Sequence, residues 1–303
     1  MNTPYSIVGD WGTSRMRLFR IVAGSVVDRI DGPGIGTLDT SPADALLRAM
    51  APWRSQHPPT HVVLCGMAGA RSGLAEAPYA ACPVDAAAWA GHAQRLLLDG
   101  IRIAVAAGLA CTRADGTPDV MRGEETQIFG ALHRLPALAQ GRRVLALPGT
   151  HSKWATLEDG AVREFHTLPS GELYALLRDH STLTRVGDDP GGEATGFEAG
   201  LAGARAGRGL LGSLFQARSA QLRAGHTRGW ALGYLSGLII GCEVEEMLGR
   251  HPDSGLIVLI GDPTLTARYR RALDARGIAV ELHDGDACAL AGLHRFEESL
   301  SWK

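Results

Sequence analysis

No run of like charge stands out in the 303 residues: 30 Lys and Arg are set against 32 Asp and Glu, for a formal net charge of −2. That balance points to neither nucleic acid nor an anionic membrane surface as a partner, because both select basic patches. Cysteine is scarce and odd in number. Cys65, Cys82, Cys111, Cys242 and Cys288 form no C-x-x-C pair, which argues for reduced thiols in a cytoplasmic protein rather than a disulfide framework. The eleven histidines include no H-E-x-x-H or other zinc spacing. No basic segment followed by an apolar stretch opens the sequence, so no signal peptide is expected. The longest apolar stretch, "LGYLSGLIIGC" (Leu232 to Cys242), is too short and too broken to span a bilayer.

What is present is ordinary for a globular protein, with 45% apolar and 20% charged residues and length for two domains or one large one. The 39 glycines predict many tight turns. "YSIVGD" and "MRLFRIV" read as strands joined by a Gly-Thr-Ser turn. "PADALLRAMAPWRSQ" reads as a helix with Pro42 near its first turn, and "THVVLCGM" as a buried strand ending at Gly66. "RIAVAAGLAC" reads as another strand. "GEETQIFGALHRL" has Ile128, Phe129, Leu132 and Leu135 at helical spacing, with acids in the first turn where the helix dipole favours them. "RRVLALPGTHSKWATLEDGAVREFHTL" reads as three strands with two turns, and "GLIVLIGDPTLTARYRRALDARG" as strand, glycine turn and helix. Alternation of this kind predicts an α/β protein.

The opening of the chain is echoed about 140 residues later. "IVGDWGTSRMRLFRI" and "LALPGTHSKWATLED" are both strand, Gly-Thr turn, strand, with hydroxyls and a basic residue at the turn. That suggests two similar domains with a boundary near Gln140-Gly141. Convergent backbone N–H groups and hydroxyls suit phosphate oxygens. Asp10 would repel phosphate unless a divalent cation lay between them, as Mg²⁺ does on a nucleoside triphosphate. A plain hairpin whose Asp and Thr only satisfy the turn is the competing reading for either segment alone. Trp11 and Trp154 read as packing residues.

"DWGTS", a second phosphate hairpin and a later strand–glycine–helix unit resemble the sugar kinase, actin and heat-shock ATPase superfamily. Within it, "VMRGEETQIFGA" (Val120 to Ala131) and "LPGTHSKW" (Leu147 to Trp154) resemble the 2-dehydro-3-deoxygalactonokinase family. So do "TLPSGELYALL", "YLSGLIIGCEVEEM" and "PTLTARYRRAL", and the resemblance runs from about Tyr5 to the last helix. One departure is Asp262, where that family tends to have a small or hydroxyl residue.

The resemblance implies two similar actin-like (ribonuclease H-like) α/β domains with a nucleotide cleft between them. Residues 1–140 would carry the first phosphate hairpin, the sugar-acid site and the catalytic Glu. Residues 141–303 would carry the second hairpin and the adenosine site, with the last helix open to return to the first domain. The implied reaction is transfer from ATP, with Mg²⁺, to the 6-hydroxyl of 2-dehydro-3-deoxy-D-galactonate.

ATP and phosphate would meet Asp10, Gly12, Thr13, Ser14 and Arg15 on one side and Gly149, Thr150, His151, Ser152 and Lys153 on the other, with Gly261 near the adenosine and Asp10 on the metal. Lys153 reads equally as a solvated hairpin lysine. A primary alcohol needs a proton acceptor, and Glu124 is favoured over the adjacent Glu125. A bidentate guanidinium suits the substrate carboxylate, with Arg71 and Arg122 as candidates beside Gly66 and Met67. A kinase for another sugar or a non-catalytic nucleotide switch are the competing functions, and a homodimer is left open. The adjacent acids favour catalysis, because a switch needs no acid aimed at a hydroxyl.

Overall fold

The computed structural model describes residues 3–55 and 57–302. Along the chain run β1 (Ser6–Trp11), β2 (Arg15–Val22), β3 (Ser25–Pro33), α1 (Pro42–Arg54), β4 (Val62–Gly66), β5 (Tyr79–Ala81) and α2 (Ala86–Ala90). Next come β6 (Gln94–Leu98), β7 (Ile101–Val105), β8 (Gly108–Thr112), β9 (Pro118–Met121) and α3 (Glu124–Arg134). The second half holds β10 (Arg142–Leu147), β11 (Ser152–Glu158), β12 (Ala161–Leu168), α4 (Ser170–His180), α5 (Glu193–Arg205), α6 (Leu210–Leu214), α7 (Gln216–Ala224) and α8 (Arg228–Arg250). It ends with β13 (Leu256–Gly261), α9 (Pro263–Asp274), β14 (Ala279–Asp284) and α10 (Gly285–Ser299).

A six-stranded sheet has the order β3-β2-β1-β4-β7-β6, and a five-stranded sheet has the order β12-β11-β10-β13-β14. Both sheets thus begin with three consecutive strands and add further strands on the other side of the first: β4, β7 and β6 in one, β13 and β14 in the other. In both sheets the first strand lies parallel to the fourth, β1 with β4 and β10 with β13. β4 is buried at every residue, which is why "VVLCG" is apolar throughout instead of alternating. A small third sheet has the order β5-β8-β9.

The chain divides into two compact units. One runs to Arg142 and includes Ala155–Phe165 and the segment from Asp284 on; the other holds Arg143–Trp154 and His166–His283. In the first, Trp11, Leu18, Met50, Trp53 and Leu64 share one core. In the second, Trp154, Phe197, Met247, Leu259 and Tyr269 share another. Trp11 and Trp154 are fully buried packing residues, as expected. All five cysteines are free. "LGYLSGLIIGC" lies inside α8, and among the described residues no helix is long and apolar enough to cross a membrane.

Two strand readings need correction. "RIAVAAGLAC" is two strands, β7 and β8, in different sheets. The Gly108 N–H turns away to bond Pro78 O at 3.1 Å, so the chain leaves one sheet there while its apolar character continues. β3 and β6 were not legible as strands; both are edge strands with mixed exposure. Finally, α3 and α10 touch backbone to backbone. A Cβ on Gly130 would lie 1.9 Å from Cys288 O, and one on Gly292 1.9 Å from Thr126 O. The last helix therefore bears directly on the helix that carries Glu124 and Glu125.

Candidate active site

In the first unit, β1 and β4 run parallel with Asp10 opposite Cys65 and Trp11 opposite Gly66. Parallel strands bring their carboxyl ends to one edge, where open α/β sheets bind ligands. Asp10 sits at that edge with its side chain 21% exposed. Its Oδ1 accepts from the Cys65 thiol at 3.7 Å and its Oδ2 pairs with Arg17. Gly66 has φ 75°, a backbone that favours glycine, and a Cβ there would come within 3.2 Å of Asp10 Oδ1. A Cβ on Gly123, at the start of α3, would lie 3.5 Å from Gly66 Cα. The strand ends and the start of α3 thus meet, so Asp10, Gly66 and the Glu124-Glu125 turn share one edge of this unit. Met67 opens the short helical turn that follows β4.

The two acids have different surroundings. Glu125 is fully buried; its carboxylate accepts the Gly123 N–H at 2.6 Å and the Thr126 hydroxyl at 3.3 Å. Burial, and then the neighbouring Glu124, push its pKa up to about 8. Glu124 is partly exposed. A carboxyl pKa raised on folding stabilises the folded state below the unfolded value near 4.5, and that stabilisation is lost as pH rises toward 8. One proton bounds the slope at about 1.4 kcal/mol per pH unit. Thermal denaturation between pH 5 and pH 8.5 should therefore show wild-type Tm falling relative to Glu125→Gln. Parallel Tm curves for the two proteins would show that Glu125 ionises normally.

Arg122 stacks over the Tyr79 ring, 4.3 Å from its centroid, and donates from Nη2 to Ala77 O at 2.8 Å. Its Nε and Nη1 are buried with no hydrogen-bond partner among the described residues. Arg71, by contrast, is 92% exposed on its loop and lies 3.9 Å from Glu76. The first hairpin turn is closed by Gly12 N–H to Arg15 O at 2.9 Å, leaving Thr13, Ser14 and Arg15 exposed. Ile35 N–H bonds Gly12 O and Gly36 N–H bonds Thr13 O, so the segment after β3 holds the turn from behind. A Cβ on Gly34 would lie 2.3 Å from Thr13 O, so only glycine fits this close approach.

The second hairpin is held in the same way. Glu172 N–H bonds Thr150 O at 2.9 Å, and a Cβ on Gly171 would lie 2.3 Å from Gly149 O. His151 Nε2 shares a hydrogen with Glu172 Oε2 at 2.7 Å, with both side chains half exposed. Lys153 is buried, not solvated, and its Nζ donates to His151 O at 3.1 Å. The Ser152 hydroxyl faces the interior, 3.0 Å from Tyr269 OH, which donates to Glu243 Oε2 at 2.8 Å. Glu243 also accepts from Trp154 Nε1 at 2.8 Å, and burial raises its pKa. This buried network stiffens the strand behind the turn.

Beside Gly149 in this second unit lies a cavity of about 330 Å³, lined among others by Tyr174, Arg178, Asp262, Leu265 and Arg268. Asp262 caps α9, its Oδ1 accepting from Thr264 N–H at 2.9 Å and Leu265 N–H at 3.1 Å. Gly261 ends β13, with room for ordinary van der Waals contact at its Cβ position. Sequence reasoning missed Gly34, Gly171, Tyr174 and Arg268. The last three carry no distinguishing mark within "TLPSGELYALL" and "PTLTARYRRAL", and the glycine-rich "DGPGIGT" is the available signal for Gly34.

Two sheets that share the order of their first strands, each opening on a Gly-Thr hairpin, define an α/β fold of two similar halves. The chain belongs to the 2-keto-3-deoxy-galactonokinase family, whose model matches residues 10–296. It is 31% identical to the Escherichia coli 2-dehydro-3-deoxygalactonokinase over 96% of this chain and 97% of that protein. A Rhizobium meliloti protein provisionally given the same name is 34% identical, with 95% of each chain covered. A solved structure from Sinorhizobium meliloti, also provisionally so named, is 32% identical with a TM-score of 0.86, covering 99% of this chain and 98% of that one.

Proposed function

We propose that this protein transfers the γ-phosphoryl group of ATP to the 6-hydroxyl of 2-dehydro-3-deoxy-D-galactonate, giving the 6-phosphate. Family membership across residues 10–296 supports the substrate class. The observation that carries the reading is the edge of the first unit, where Asp10, Gly66 and the first turn of α3 meet. That edge combines a carboxylate for a cation, a hairpin for phosphate and a candidate base within one compact unit.

Mg²⁺ prefers one or two carboxylates, with phosphate oxygens and water completing its octahedron. Asp10 fits that role, being an acceptor-only group at the strand edge with part of its surface open. When bound, the ion would neutralise charge on the phosphates. Thr13, Ser14 and Arg15 of the first unit present exposed donors suited to phosphate oxygens; in the second unit the Gly149-Thr150 turn is suited likewise, with Thr150 exposed and Gly149 partly so. Lys153, with its ammonium against His151 O, adds positive charge under that turn. His151 is held by Glu172 and orients the turn. The cavity beside Gly149 has the size and mixed lining to take adenosine. Gly261 contributes there only by leaving room where β13 passes into α9.

Glu124 acts as the base, because it is the acid of the pair left partly open. Glu125 has its carboxylate turned back onto the Gly123 N–H and serves as a cap. Arg122, with two buried donors unpaired, receives the sugar-acid carboxylate better than the exposed Arg71. Gly66 and Met67 line the approach from the β4 end.

The test is ADP release from ATP across a panel of hexoses, hexonates and 2-dehydro-3-deoxy sugar acids. Release is expected with 2-dehydro-3-deoxy-D-galactonate at least tenfold faster than with any unmodified hexose, on the order of the 1.4 kcal/mol that separates a tenfold pair. Equal release with hexoses would mean a kinase for another sugar. Sugar-independent hydrolysis alone would favour a nucleotide switch.

A further inference from the structure

Arg17 faces Asp10 across the β1–β2 pair. Its side chain is only 9% exposed, and its guanidinium pairs with two carboxylates, Asp10 and Asp286. Asp286 is the second residue of α10, lies 55% exposed, and belongs to the same compact unit. Burial works against the Arg17 charge, but the two carboxylates outweigh it, so Arg17 is held protonated more firmly than a free arginine.

The charge count of this chain of three groups matters. A buried arginine with one carboxylate forms a neutral pair, and Asp10 would then spend its charge on Arg17. A second carboxylate leaves the trio with one formal negative charge in excess, two acidic side chains against one guanidinium. Asp286 can serve as the counter-ion that Arg17 requires, and Asp10 then retains charge for a cation. α10 is also fixed against α3 through the Gly130 and Gly292 contacts, so Asp286 is delivered from a firmly seated helix.

We propose that Asp286 is a positioning residue for nucleotide binding: by holding Arg17, it orients Asp10 and leaves that carboxylate free to engage the metal–nucleotide complex. This rests on the reading of Asp10 given under Proposed function.

The experiment is calorimetric titration of ADP into the full-length protein at a series of free Mg²⁺ concentrations. The proteins compared are wild type, Asp286→Asn, Asp286→Glu and Asp10→Asn, each with its Tm. Asp286→Asn keeps the shape and a hydrogen-bond acceptor but removes the charge. Its Mg²⁺ midpoint for ADP binding should rise about fivefold or more, the lower end of ordinary coupling between sites. Turnover at saturating Mg²⁺ should change much less than the midpoint, and Asp286→Glu should restore it. A lowered Tm with an unmoved Mg²⁺ midpoint would make Asp286 a merely structural residue and overturn the proposal. If Asp10→Asn shifts the midpoint and Asp286→Asn does not, the proposal fails while the Asp10 assignment stands. If neither variant shifts it, the assignment of Asp10 to the metal–nucleotide complex falls as well. Should Asp286→Asn fail to fold, the midpoint of Asp286→Ser decides by the same criterion.

Discussion

Asp10→Ala is expected to abolish turnover while leaving the protein folded. The side chain is partly open at the end of β1, so its loss creates no large cavity. Its partner Arg17 keeps Asp286, so no buried charge is stranded. What disappears is the carboxylate near the end of β1, two residues before the Gly-Thr-Ser turn. Phosphoryl transfer depends almost wholly on positioning and charge neutralisation, and loss of a group that neutralises phosphate charge costs about 10³-fold or more. Circular dichroism and Tm near wild type, with ADP release below about one-thousandth of wild type, are the expected pair of results. Wild-type-like turnover at ordinary Mg²⁺ would remove Asp10 from the site.

The second large effect belongs to Glu124. Adjacent residues on a helix point about 100° apart, so Glu124 and Glu125 cannot both face one hydroxyl. Glu125 is committed to the Gly123 N–H and to the interior, which leaves Glu124. Glu124→Gln keeps size and polarity but removes the basicity. A positioned general base contributes about 10²–10⁴-fold, so kcat should fall within that range. Affinity for the sugar acid should change far less, because the ground state needs only a hydrogen bond. Glu125→Gln should reduce kcat by much less and act mainly on stability and its pH dependence. If both variants keep near-normal kcat, the proton acceptor lies elsewhere.

Much of the fold is legible in the sequence, for local reasons. The two hairpins declare themselves because a Gly-Thr turn between apolar runs has few alternatives in backbone conformation. α3 declares itself through the spacing of Ile128 and Phe129 behind two acids, and α1 through Pro42 in its first turn; the Ser41 cap is seen in the structure. β3 did not, because an edge strand carrying Asp28, Arg29 and Asp31 lacks a buried face to impose alternation. The break between β7 and β8 was hidden because both strands are apolar, and a change of sheet leaves no mark in hydropathy.

The site was legible as a set of residue types and obscure as an arrangement. Glu124 and Glu125 are identical neighbours, and only the packing of α3 tells the buried one from the open one. Lys153 reads as much like a surface lysine as a charge behind a turn, and its burial in β11 excludes the solvated reading. Ser152 looked like a turn hydroxyl and is a core one, because Tyr269 comes from α9 to meet it. Arg17 and Asp286 lie at opposite ends of the chain, and their pairing depends on α10 docking beside β1. No local pattern could join them.

The most direct test of the proposed reaction is the position of the new phosphate. ATP and carbon-13-labelled 2-dehydro-3-deoxy-D-galactonate should be incubated with the protein and the product examined by phosphorus–carbon NMR. Coupling of phosphorus to C6 and its neighbour C5, with one ADP formed per sugar phosphorylated, is the expected result. Phosphorus coupled to another carbon, or inorganic phosphate with unmodified sugar acid, would contradict it.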